Sequence, residues 1–154
     1  MSTLTVRHLG KTFEGRDGRP VRVLQDVTFA VPAAGALAVM GESGAGKTTL
    51  ARCITRLTEP TEGKVLVEGQ DWLALDREGL RQARRKLQMI PQDPSVALNP
   101  MMRVIDLVRE PLDVHAEEDR VHRTERSFDM LRRVGLPETL AARRPGELSG
   151  GQCQ

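Results

Sequence analysis

Eight residues, Gly41-Glu42-Ser43-Gly44-Ala45-Gly46-Lys47-Thr48, have the types and spacing of a loop that holds phosphate. Successive backbone N–H groups must turn inward to meet anionic oxygens. That needs glycine wherever a side chain would block the approach or φ is positive. The Lys47 ammonium then reaches the β- and γ-phosphates of a nucleoside triphosphate, and the Thr48 hydroxyl ligates Mg2+. A helix opening near Thr48 aims the positive end of its dipole at the same charge. The pattern is specific because its flanks fit: an unbroken apolar run, Ala36 to Met40, stands before the loop, and Leu50, Ile54 and Leu57 follow at helical spacing.

Those flanks are the elements that must position the loop. The run Ala36–Met40 reads as a strand buried on both faces, as in a parallel sheet. Upstream, Leu4–Val6 and Val21–Val31 read as short strands around the turn-rich stretch from Glu14 to Pro20. After the first helix, closed by Pro60 and Gly63, residues 64–69 form a strand ending at a turn. Asp76 caps a helix over 76–86, and residues 87–90 read as a second buried strand. From Pro100 the pattern becomes helical. Val104, Ile105, Val108 and Leu112 make one stripe that Pro111 should end or kink. Val121, Phe128, Leu131 and Val134 make another, with Gly135 as its C-terminal cap.

The bulk numbers bound the rest. With 154 residues the chain is long enough for one compact domain, and 39% hydrophobic content is ordinary for a globular protein. A net charge of +2 gives no electrostatic argument for nucleic acid. The basic cluster from Arg81 to Lys86 shares its helix with Asp76 and Glu78 and reads as a solvated face. No apolar stretch approaches the roughly 18 residues of a membrane span, and no signal peptide is visible. Cys53 and Cys153 read as reduced thiols, and His8, His115 and His122 have no metal-ligand spacing.

A second motif, Leu148-Ser149-Gly150-Gly151-Gln152, follows the helical stretch and resembles the signature of ABC-type ATPases. A hydroxyl and bare glycine amides at a helix start suit an anionic phosphate. The resemblance covers the chain from Leu4 to Gln154. It implies an α/β phosphate-loop nucleotide-binding fold with an N-terminal antiparallel β subdomain, a helical subdomain, and the C-terminal part of the core missing. The corresponding divisions are a core over 1–99, helices over 100–147, and the signature with its helix start over 148–154.

The resemblance also distributes roles. Gly41, Ser43, Gly44, Ala45, Gly46, Lys47, Thr48 and Thr49 hold ATP, Thr48 and Gln92 hold Mg2+, and Lys47 and Gln92 serve catalysis. Gln92 further couples the site to membrane subunits, and the Phe13 ring stacks on adenine. Ser149, Gly150, Gly151 and Gln152 serve the nucleotide of the opposite subunit in a head-to-tail dimer. Gln92-Asp93-Pro94-Ser95 through Asn99-Pro100, with Glu110-Pro111-Leu112, look like the ATP-binding subunits of peptide and nickel importers. The implied partners are transmembrane permease subunits and a second ATP-binding subunit. The implied location is the cytoplasmic membrane face, with no insertion and no nucleic acid.

In that family an apolar strand ending in Asp-Glu and a later histidine lie downstream of the signature, and neither occurs within these residues. The expectation is that this chain alone is marginally stable, binds MgATP weakly and does not hydrolyse it. Two other readings share the motifs: a soluble ABC-type ATPase acting on DNA or ribosomes, and a non-hydrolysing nucleotide-binding protein. The short interval between Gln92 and the signature, which holds no cysteine, argues against the DNA-repair type.

Overall fold

Strand β1 (Ser2–Glu14) runs through the middle of a four-stranded antiparallel sheet ordered β2-β1-β3-β4 in this computed structural model, which describes residues 2–115 and 119–154. Its neighbours are β2 (Pro20–Pro32) and β3 (Glu62–Val67), and the two-residue β4 (Gln70–Asp71) closes the far edge. The strands expected at Leu4–Val6 and Val21–Val31 are present, each longer than its apolar residues suggested. Helix α1 (Lys47–Ile54) packs Leu50 and Cys53 into a core with Val6, Leu9, Leu24, Val65 and Trp72.

The β1–β2 ladder is irregular at several points, and its irregularities have identifiable local supports. Val6 pairs with Phe29 but Leu9 with Val27, so two residues of β1 stand opposite one of β2. His8, within that bulge, has φ +49°, and its N–H donates to the Thr28 hydroxyl at 2.9 Å. A further slip separates the pairs Lys11–Leu24 and Thr12–Arg22, leaving Val23 as an extra residue on β2.

The described residues fall into two compact units, 1–89 and 90–154. The first ends with α2 (Arg77–Ala83), capped by Asp76, whose carboxylate accepts from the Gly79 N–H at 2.7 Å, and continued as one 3-10 turn over Arg84–Lys86. The second comprises α3 (Pro94–Ala97), α4 (Val104–His115), α5 (Arg120–Arg133) and α6 (Gly150–Cys153). Val104, Ile105, Leu131 and Ala141 form its core. The carbonyls of Arg143 and Ala141 accept from the Val104 and Ile105 N–H groups, satisfying donors that a helix start leaves without intrahelical partners. Gly135, at φ +76°, ends α5 as expected, with the Leu136 N–H returning to the Leu131 carbonyl.

An ion-pair ladder braces α4 and α5. Asp106 accepts from Arg103 at 2.8 Å and from Arg109 at 3.0 Å, Arg109 continues to Asp113 at 2.9 Å, and Asp113 meets Arg123 of α5 at 3.1 Å. Arg109 is only 12% exposed, so its charge needs both carboxylates.

Three local expectations are corrected. Ala36–Met40 forms no strand and is exposed throughout, with Met40 90% accessible. Residues 87–90 likewise form none, and Ile90 is exposed. An apolar run becomes a strand only by pairing, and none of the described strands lies against either run. The first helix stops at Ile54, because Arg56 turns to φ +52° and leaves Leu57 exposed. Of the two outcomes expected at Pro111, an end or a kink, the end does not occur: α4 continues to His115.

Candidate nucleotide-binding site

The phosphate loop crosses directly from residue 41 into α1, and two of its glycines do what only glycine does cheaply. Gly44 and Gly46 have φ of +84° and +90°. A Cβ on Gly46 would stand 3.1 Å from the Val23 carbonyl oxygen and 3.2 Å from the Leu24 side chain. The loop's last glycine therefore rests on the bulged residue of β2. Gly46 is also the N-cap of α1, with no side chain to cap it. The first N–H groups of a helix lack intrahelical acceptors, so the donors at this end remain available to an anion.

Lys47 is held in place by the loop itself. Its Nζ donates to the Gly41 and Glu42 carbonyls, each at 2.7 Å. An ammonium has three protons, so one remains for a phosphate oxygen. The Ala45 N–H donates to the Glu42 carbonyl at 3.2 Å, tightening the same turn. Ser43 and Thr48 are exposed, Thr49 is half-buried, and Leu50 behind them is in the core. Cys53, on the core side of α1, is fully buried; that burial pushes its thiol pKa up and makes it an inert packing group.

Phe13 pairs with Val21 near the end of β1 and is 40% exposed, so it is no core residue. The Lys11 ammonium lies over its ring, 4.7 Å from the centroid, and donates to the Glu59 carbonyl at 2.8 Å. Sequence reasoning passed over Lys11. The available signal was its i, i+2 spacing from Phe13, which sets two side chains on one side of a strand.

Gln92 and the signature belong to the second unit. Gln92 is exposed in the segment before α3. Ser149 is the N-cap of α6, its hydroxyl accepting from the Gln152 N–H at 3.3 Å while the Gln152 side-chain oxygen accepts from the Ser149 N–H at 2.9 Å. This is a capping box. Both side chains spend acceptors on it. The Ser149 hydroxyl proton and the Gln152 amide protons stay outside, as donors. Gly150 and Gly151 are exposed, with space around each. Gly151, Gln152 and Cys153 of α6 also line an apolar groove with Leu107, Val108, Met130 and Leu148.

The family model for ABC transporters matches residues 24–154, which takes in the phosphate loop, Gln92 and the signature together. The chain belongs to the ABC transporter family. A probable peptide ABC transporter ATP-binding protein, y4tS of Sinorhizobium fredii, is 46% identical over 134 residues, covering 87% of this ABC transporter chain and 38% of the relative. The oligopeptide transport ATP-binding protein AppF of Bacillus subtilis is 39% identical, covering 98% of the chain and 48% of the relative. This chain thus spans about half, or less, of the length of these relatives. Among solved structures, the dimeric, post-hydrolysis ATP-binding cassette MJ0796 bound to ADP and Pi superposes with a TM-score of 0.85 at 27% identity. The match covers 97% of this chain and 65% of that one. The expected phosphate-loop architecture is therefore correct at the level of the fold family.

Among the described residues no helix is long and apolar enough to cross a membrane, and no group of His, Cys, Asp and Glu is placed to hold a metal. His8 and His122 instead pair with Asp26 and Asp119, each at 2.6 Å.

Proposed function

We propose that this chain is the MgATP-binding part of an energy-coupling subunit of an ABC importer whose cargo is a peptide. The observation that carries the reading is the phosphate loop. Lys47 is pinned by two carbonyls with one proton in reserve, beside a helix start that no side chain caps. The loop amides and Lys47 take the β- and γ-phosphates, Thr48 serves Mg2+, and Phe13 takes the base. Magnesium supplies charge neutralisation across the phosphates. Lys47 fits that charge from the protein side, and the exposed Thr48 hydroxyl is a suitable hard-oxygen ligand.

The peptide assignment rests on the names of the curated relatives, which favour it over nickel. Ser149, Gly150, Gly151 and Gln152 offer their outward donors to the nucleotide of a second ATP-binding subunit. Transmembrane permease subunits are the other partners, which puts the chain peripherally at the cytoplasmic membrane face. ATP hydrolysis is assigned to the assembled transporter.

The test is equilibrium binding of MgATP to the chain and to Lys47→Ala. Saturable binding that Lys47→Ala reduces by at least about 10-fold supports the reading, the scale of one hydrogen bond from a charged group. Equal affinity in the two proteins refutes it.

A further inference from the structure

The ammonium of Lys11 occupies one face of the Phe13 ring, and the same group is anchored to the Glu59 carbonyl beyond α1. Both residues lie on β1, whose Lys11 pairs with Leu24, and Leu24 and Val23 form the seat of Gly46. Phe13 stands two residues further along, about 7 Å by strand rise. So the aromatic face, the cation behind it and the seat of the phosphate loop are set by one short length of the β1–β2 ladder.

We propose that Lys11 is a positioning residue for the nucleotide base. It fixes the rotamer of Phe13 and covers one ring face, leaving the other for a purine to stack on. A ring held by a cation on one side meets its ligand with less side-chain freedom to lose. Lys11 needs no contact with the nucleotide for this, and its effect falls on the base, not on the phosphates. The inference rests on the assignment of Phe13 to the base.

The experiment compares affinities of the chain for MgATP and for magnesium tripolyphosphate, which has the phosphates but no base, by competition against a fluorescent nucleotide. Lys11→Met is expected to lower the preference for ATP by about two- to five-fold, the range of an exposed cation–aromatic contact, with tripolyphosphate affinity unchanged. Lys11→Arg should restore the preference, and Phe13→Ala should lower it at least as far as Lys11→Met. If Phe13→Ala lowers the preference and Lys11→Met does not, Lys11 has no part in base binding and the proposal fails. A parallel loss of both ligands in Lys11→Met makes the residue a structural tie and also overturns it. If Phe13→Ala leaves the preference unchanged, the base-stacking assignment itself falls, and this inference with it.

Discussion

Gly46 sits against Val23 so closely that a methyl group on the glycine would lie 3.1 Å from the Val23 carbonyl oxygen. The phosphate loop and the N-terminal hairpin are thus in register with each other through one glycine and one bulged residue.

Gly46→Ala should therefore fail twice, by crowding Val23 and by placing an L side chain at φ +90°. The expected cost is about 1–3 kcal/mol of stability, with MgATP affinity reduced even where the protein remains folded. Thermal unfolding with and without MgATP separates the two effects. Wild-type affinity in a folded Gly46→Ala protein would show that the seat on Val23 is dispensable.

Lys47 is tied to two carbonyls of its own loop, so removing its charge should loosen the loop as well as the ligand. Lys47→Met, close in size but unable to donate, should bind MgATP no better than Lys47→Ala. Faster amide exchange at residues 41–46 in both variants is the accompanying sign. If Lys47→Met binds as the wild type does, packing and not the ammonium holds the loop.

Ser149 caps α6, and the donor role proposed for its hydroxyl is separable from that cap. Ser149→Ala removes the acceptor for the Gln152 N–H and should speed exchange of that amide, a cap loss of about 1 kcal/mol. Ser149→Asp keeps an acceptor but has no proton to donate. Neither change should alter MgATP affinity of the chain itself. In an assembled transporter carrying this sequence, Ser149→Asp should lose ATP hydrolysis despite an intact cap. Retained hydrolysis in that variant would remove the hydroxyl proton from the mechanism.

Asp106 gives the second unit a pH dependence of known sign. Its hydrogen bond from Arg103, with the nearby charges of Arg103 and Arg109, holds the carboxyl below its ordinary value of 3.8. A pKa depressed in the folded state means stability that is complete above the unfolded value and lost as pH falls through the folded one. Asp106→Asn should thus melt lower than wild type near neutral pH, by about 1 kcal/mol, and the gap should close below about pH 4. A gap that stays constant on acidification would deny Asp106 this role.

Much of the local backbone around the candidate site was legible in advance because it restricts residue types over a few positions. Gly44 and Gly46 are glycines for reasons of backbone angle, and Gly135 and Asp76 mark helix ends by rules that act over a turn. What escaped prediction depends on partners distant in sequence. Ala36–Met40 has the composition of a buried strand, yet strandedness lies in the ladder and the described strands offer it none. The exposure of Leu57 follows from Arg56 turning left-handed, which its residue type does not announce. The ladder from Arg103 to Arg123 joins two helices, and charge at i, i+3 spacing foretells only its intrahelical rungs.

The slip at Val23 also bears on how the hairpin tolerates change. Side chains along a strand alternate between its faces, so one supernumerary residue inverts the phase of everything beyond it. Lengthening the turn between Glu14 and Pro20 leaves that phase untouched. Excising Val23 would straighten the ribbon, exchange the faces of Val21 and Arg22, and carry away the floor beneath Gly46. A more regular hairpin would be a worse foundation for a phosphate site, and its imperfection is what this sequence must preserve.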